Sequence, residues 1–205
     1  MLDRNGFDLW ASQYDEAVNA NKKEGGYPFA GYDQVHGIII DEILKKDGAT
    51  VLDVGLGTGR LSKVLYDRGY EIYGQDFSHN MIDIAQNKMP DAKLYQGDFA
   101  DGLALPLKDK KFDFIVATYT LHHLRDDQKK VFIAELLSRL NDGGKLLIGD
   151  VAFENQEKMD ECKKATGEKW DDAEHYFVAE RLKKDFPSLR YQVVSLCALV
   201  ITMDK

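Results

Sequence analysis

The sequence predicts an α/β protein built on a doubly wound, mostly parallel sheet. Three observations predict it. From Thr50 onward short apolar runs alternate with helical patterns, the pattern of parallel strands joined by right-handed helical crossovers. The first run ends in Gly55-Leu56-Gly57-Thr58-Gly59, and a helix opens at once with Leu61, Val64 and Leu65 at helical spacing. Near the end of the chain, residues 190–194 and 196–203 read as two strands with almost nothing between them, and only a tight antiparallel connection joins strands that close.

Taken in order, Trp10, Tyr14, Ala17 and Val18 mark one face of a first helix. Lys22-Lys23-Glu24-Gly25-Gly26-Tyr27-Pro28 breaks it. A second helix spans 32–46, with Val35, Ile39 and Ile43 in one row, and ends near Asp47-Gly48. Residues 1–48 are thus expected to form a helical cap that could fold over the end of the glycine strand. Strand one covers 50–54 and its helix runs to about Arg68. Strand two, 71–75, leads to Ser78, a good N-cap for a helix carrying Met81, Ile82, Ala85 and Met89 and stopped by Pro90. Strand three covers 93–96, a loop follows over 97–111, and strand four covers 112–117. A helix over 126–140, the turn Asn141-Asp142-Gly143-Gly144 and strand five over 145–149 complete a ligand-binding half, 49–150. Two helices parted near Gly167 and the terminal hairpin occupy 151–205. The 205 residues suffice for one domain with a full core.

The charge balance, 27 basic against 35 acidic residues, is −8. With no block of basic residues denser than Lys110-Lys111 or Lys183-Lys184, nucleic acid is not the expected partner. Cys162 and Cys197 lie far apart and form no C-x-x-C pair, so free thiols in a reducing compartment are expected, with no metal site. The start lacks a long apolar core of a signal peptide, and the longest apolar stretch, 196–201, is too short to cross a membrane. A cytoplasmic protein, monomer or homodimer, is the expectation.

Open α/β sheets bind ligands beyond the carboxyl ends of their strands. Strand one delivers Asp53 and the glycine loop there, strand two Asp76 and Phe77, strand three Asp98 and Phe99, strand four Thr118 and Tyr119. Three acids on one rim are costly unless something pairs with them. Asp76, 21 residues beyond Gly55, suits both hydroxyls of a ribose. Asp98 suits the exocyclic amine of a purine, the Phe99 ring can pack on the base, and Asp53 can attract an ammonium. The implied ligand joins adenine, ribose and a cationic amino-acid-like part.

This set resembles the class I S-adenosylmethionine-dependent methyltransferases over nearly the whole chain. Val51 to Gly59 is similar to the family's first motif, Tyr73 to Ser78 to the second, Gln96-Gly97-Asp98-Phe99 to the adenine motif, Phe112 to Ala117 to strand four, and Leu140 to Leu146 to the turn into strand five. Gln75 departs from the apolar residue usual before the ribose acid. The resemblance implies a Rossmann-like, seven-stranded sheet of order 3-2-1-4-5-7-6 with strand seven antiparallel. It implies S-adenosylmethionine as cofactor and S-adenosylhomocysteine as product. The cofactor set would be Trp10, Tyr14, Asp53, Gly55, Gly57, Gly59, Asp76, Phe77, Asp98, Phe99 and Thr118. Trp10-Ala11-Ser12-Gln13-Tyr14-Asp15, Gly31-Tyr32-Asp33, Leu121-His122-His123-Leu124, Phe153-Glu154-Asn155 and Glu174-His175-Tyr176 are similar to small bacterial methyltransferases of unassigned substrate. A small-molecule methyl acceptor is the expected partner.

Other readings stand beside these. A dinucleotide-binding oxidoreductase would need a small residue where Arg60 stands, and no tyrosine is followed by lysine in a Y-x-x-x-K pair. A cofactor-binding sensor or partner subunit without catalysis would keep Asp76 and Asp98 but lack an acceptor pocket, and protein or RNA acceptors are a further alternative. Trp10 and Tyr14 read either as a packed helix face or as a lid over the cofactor. His122 and His175 are the candidate catalytic residues and, with Tyr119 and Tyr176, the candidate acceptor contacts; the favoured reading of His122 and His123 is nonetheless structural loop histidines, and that of His175 and Tyr176 a helix face.

Overall fold

The computed structural model describes residues 27–205. Its helices are α1 (Tyr32–Ile43), α2 (Arg60–Tyr66), α3 (His79–Lys88), α4 (Asp126–Ser138), α5 (Gln156–Thr166) and α6 (Ala179–Asp185). The strands are β1 (Thr50–Val54), β2 (Glu71–Asp76), β3 (Lys93–Gln96), β4 (Phe112–Thr118), β5 (Leu140–Phe153), β6 (Phe177–Val178), β7 (Arg190–Ser195) and β8 (Ala198–Asp204).

The strands pair in the order β3-β2-β1-β4-β5-β8-β7. All neighbours are parallel except β5–β8 and β7–β8. This is the expected arrangement with one addition. The two-residue strand β6 pairs in parallel with the end of β5, through Ala152 and Phe153, so the sheet has eight strands and the hairpin becomes β7 and β8. Strand five is also longer than its apolar run. Phe112 faces Leu140 and Phe114 faces Lys145, so Asn141–Gly144 is an irregularity within β5, not a free turn before it, with Gly143 at φ 75°. At its other end the strand carries Asp150 into the carboxyl rim.

Both faces of the sheet are covered. On one lie the buried rows of α1 (Val35, Ile39, Ile43), α2 (Leu61, Leu65) and α3 (Ile82, Ala85) with Met89 just after it, and Cys162 of α5. On the other lie α4 (Phe132, Ile133, Leu136) and α6 (Ala179, Leu182). Burial on two sides is why strands such as β1 and β4 read as near-continuous apolar runs. Helix α1 sits so close to β5 that a Cβ at Gly149 would come within 2.3 Å of Val35 Cγ1. Ser78 caps α3 as expected, accepting from the Met81 N–H at 3.2 Å. At the opposite end of the sheet from the rim, Asp113 accepts from the Thr50 N–H, the Thr50 hydroxyl, Lys46 and Asn141, tying β1, β4, β5 and the chain after α1 together. Burial opposes ionisation there, but these partners outweigh it and hold the Asp113 carboxyl down at about 2. Both cysteines are free and buried. Among the described residues no helix is long and apolar enough to cross a membrane.

Candidate active site

The rim begins at the loop after β1. Gly55, Gly57 and Gly59 all hold positive φ, at 68°, 55° and 76°, a backbone that glycine adopts without strain and that leaves no Cβ in the way of a ligand. A Cβ at Gly55 would lie 2.0 Å from Thr120 Oγ1, so the loop also rests directly on the turn after β4. Asp76, at the end of β2, organises this loop from beside it. Its Oδ2 accepts from the Gly57 N–H at 2.9 Å and its Oδ1 from the Ser78 N–H at 2.9 Å. A carboxylate oxygen can accept two hydrogen bonds, so the group that orders the loop can also receive ligand hydroxyls.

Asp53 is 1% exposed. Its Oδ2 accepts from Ser62 Oγ at 2.6 Å, while Oδ1 is buried with no hydrogen-bond partner among the described residues. Burial, with the Asp76 charge adding to it against the Ser62 hydrogen bond, raises its pKa from 3.8 to about 7. A buried acceptor left unmatched beside a glycine loop is a place for a cationic donor.

Asp98 accepts from the Ala100 N–H at 2.9 Å and opens a short 3₁₀ turn, Phe99–Asp101. Gln75, buried and flagged in the sequence only as a departure, holds this loop. Its amide donates to the carbonyls of Gly97 at 3.3 Å and Gly102 at 3.0 Å and accepts from the Ala104 N–H at 2.7 Å. A polar residue is stable there because each of its groups is matched. Phe77 is half-buried, and its carbonyl accepts from Gln96 Nε2 at 3.1 Å.

Beyond β4 and β5 a second group gathers. His122 Nδ1 lies 2.5 Å from Asp150 Oδ1. The Asp150 carboxylate, fully buried, also accepts from the N–H groups of Leu121 at 3.0 Å, His122 at 3.3 Å and Val151 at 2.7 Å. Burial pulls the His122 pKa down, but the Asp150 charge and hydrogen bond overcome it and raise it; by the reciprocal effect Asp150 is held low against its own burial. His123 Nδ1 meets Glu174 Oε2 at 2.9 Å. Tyr176 hydrogen-bonds Tyr27 through their hydroxyls. Trp170 stands edge-on to Tyr176 at 4.8 Å and stacks on Tyr27 at 5.3 Å, with Phe153 behind both. Lys129, 2% exposed, reaches the His175 carbonyl and Asp126, and burial lowers its pKa.

A family model described as a methyltransferase domain matches residues 51–144. An uncharacterised methyltransferase of Anoxybacillus flavithermus is 36% identical over 151 residues, covering 74% of this chain and 68% of the relative. The chain belongs to the class I methyltransferases. An uncharacterised methyltransferase of Geobacillus thermodenitrificans is 38% identical over 152 residues, with 74% and 67% covered. Among solved structures, magnesium protoporphyrin IX methyltransferase of Synechocystis with bound S-adenosylhomocysteine superposes with a TM-score of 0.69 at 20% identity, over 86% of this chain and 84% of that one. A DhpI–SAM–HEP complex gives 0.69 at 18% identity, over 96% and 92%. At such identities these structures share the fold. The enzyme is an S-adenosylmethionine-dependent methyltransferase; that cofactor excludes the oxidoreductase reading, and membership of the methyltransferase family speaks against the non-catalytic sensor.

The methyltransferase brings Asp53, the three glycines, Asp76, Phe77, Asp98 and Thr118 to one rim, as expected from strand order. Three aromatic or imidazole side chains depart from expectation. The Phe99 ring is 6% exposed and stacks on Phe132 at 6.2 Å; it belongs to the core, leaving its backbone to the rim. Tyr119, at φ 49°, is 9% exposed and stacks on Tyr32 at 4.9 Å, beside Phe29, so its ring packs α1 against the rim. The His175 side chain is exposed; its backbone matters, with its N–H on the His122 carbonyl at 2.8 Å. Trp10 and Tyr14 lie outside the described residues. Asp150, Lys129, Tyr27 and Trp170 were not anticipated. Asp150 carried a usable signal, an acid ending an apolar run; Tyr27 was hidden inside a helix breaker.

Proposed function

We propose that this methyltransferase methylates a small-molecule acceptor held between the histidine turn after β4 and the aromatic wall of Tyr27, Trp170 and Tyr176. The cofactor would lie along the rim. Asp53 and the loop at Gly55, Gly57 and Gly59 would take its amino-acid part, Asp76 its ribose, and Asp98 with the Phe99 backbone its adenine; Phe77 and Thr118 would flank it. The residues fit that group: Asp53 Oδ1 is an unmatched buried acceptor suited to an ammonium, and the glycine backbone leaves room for close approach. When bound, S-adenosylmethionine supplies an already activated, electrophilic methyl group.

What remains for the protein is to hold the acceptor in line and exclude water. The contact between Gly55 and Thr120 places the histidine turn directly against the cofactor loop, and this single observation carries the reading. The acceptor side is built from single side chains of separate segments, His122 and His123 after β4, Glu174 and Tyr176 before β6, and Tyr27 before α1. Such a lining suits a compact molecule. It is not the exposed basic face that an RNA backbone needs.

The test is release of S-adenosylhomocysteine across a panel of small hydroxyl, amine and thiol acceptors, with peptide and RNA substrates alongside. Turnover of a small acceptor is expected, with kcat reduced tenfold or more by Tyr176→Ala and cofactor affinity within about twofold of wild type. Turnover of peptide or RNA alone would overturn the proposal.

A further inference from the structure

We propose that His122, His123 and Glu174 form a binding site for one divalent transition-metal ion of the class that favours imidazole nitrogen, with zinc as the representative. One ligand atom from each of the three lies within 4.8 Å of the others, and among the described residues this is the one such group of three. Two imidazoles and a carboxylate are a donor set used for zinc and iron(II), with a position left open for water or substrate.

The local geometry prepares this set. Metal–ligand bonds of about 2.0–2.2 Å place tetrahedral donors roughly 3.3–3.5 Å apart. His123 Nδ1 and Glu174 Oε2 already stand 2.9 Å apart, so an ion would take the place of their shared proton with a small outward rotation. His122 brings a ring nitrogen to within 4.8 Å of the other two donors and has to move inward to ligate. Its Nδ1 is engaged by Asp150, which leaves Nε2 as the coordinating atom. A carboxylate on the far nitrogen of a ligating histidine fixes its tautomer and orientation and raises its basicity. Asp150 is itself fixed by three backbone N–H groups, so this support is rigid. The third ligand is delivered by the bond from the His175 N–H to the His122 carbonyl, which ties the segment after Glu174 to the histidine turn.

Burial and charge agree. The three side chains are 13%, 22% and 10% exposed, covered enough to be held and open enough to be reached. Asp150 and Glu174 place two negative charges around the pair of imidazoles. Lys129, the cation packed against them from α4, is engaged with Asp126 and the His175 carbonyl. The site goes beyond the acceptor assignment, and its test does not read turnover, so either can fail without the other.

The experiment is a competition titration of chelator-stripped protein with Zn²⁺ against a chromophoric chelator, repeated with Co²⁺ to read ligand-field bands in the visible. One equivalent per chain is expected. Glu174→Gln and His123→Ala should each weaken binding at least tenfold, and Asp150→Asn ten- to a hundredfold through His122. The exposed His79→Ala and the thiol variant Cys162→Ser with Cys197→Ser should leave it unchanged. Circular dichroism and cofactor affinity report folding of each variant, and in any variant that fails to fold the cobalt bands of the wild type still distinguish imidazole from thiolate ligation. No stoichiometric binding, binding unaffected by Glu174→Gln and His123→Ala, or cobalt bands of thiolate character would each overturn the proposal.

Discussion

Two carboxylates on the rim differ by what surrounds them. Asp76 is matched by two backbone N–H groups and supports the loop; Asp53 keeps one oxygen unmatched. Replacing Asp76 with alanine removes charge-assisted hydrogen bonds worth about 1.5–3 kcal/mol each. Calorimetry should therefore show S-adenosylmethionine affinity falling about a hundredfold or more; unchanged affinity would disprove the ribose assignment. For Asp53 the prediction concerns pH. Its folded pKa, about 7, lies above the ordinary 3.8. The folded, ligand-free protein therefore keeps a proton that the unfolded chain has lost, and this contribution to stability is present below about pH 4 and disappears as pH rises through 7. A cofactor ammonium reverses the preference, so binding should release a proton and weaken as pH falls below 7. Asp53→Asn should flatten both dependences, as measured by urea unfolding and by calorimetry in buffers of different ionisation heat.

At the scale of elements, the closest fit is α1 on β5. A methyl group at Gly149 has no room against Val35 and Ile39, at 2.3 and 3.0 Å. Gly149→Ala should cost about 1–3 kcal/mol by overpacking, read from the urea midpoint at constant slope. Loss of less than about 0.5 kcal/mol would show that α1 can slide outward freely. The elements whose signals are local were readable in advance. Strand β1 follows from an apolar run that ends at the glycine loop, and α3 from Ser78 and Pro90. Strand β6 was not legible, because two residues carry no period and pair only where the end of β5 is there to receive them. The extension of β5 was missed because Gly143-Gly144 reads as a turn in isolation, whereas pairing to both sides of it keeps the strand in the sheet.

Across the whole molecule, the residues of the carboxyl rim were legible, and the pairing of the distant segments beyond it was not, for a physical reason. The rim acids lie at strand ends, and strand order converts sequence position into place. The side proposed for the acceptor is assembled from segments distant in the chain: His123 with Glu174, and Tyr27 with Tyr176, are 51 and 149 residues apart, and no local pattern predicts such pairs. The two thiols test how firmly the outer parts are closed. Cys197 is pushed up to about 12, chiefly by burial, and both cysteines are 1% exposed. Each should react with a disulfide reagent only as fast as the structure opens, with complete labelling coinciding with the unfolding transition; labelling within seconds in native buffer would place α5 and the hairpin in a loosely held layer.

The contact of Gly55 on Thr120 has one more consequence. Thr120 immediately precedes the turn whose two imidazole rings sit 4.2 Å apart, so the glycine loop and those rings are mechanically one piece. An event at the cofactor end should therefore be audible at the other: the nuclear resonances of His122 and His123 become a built-in microphone for the loop, shifting when cofactor arrives with no acceptor in solution.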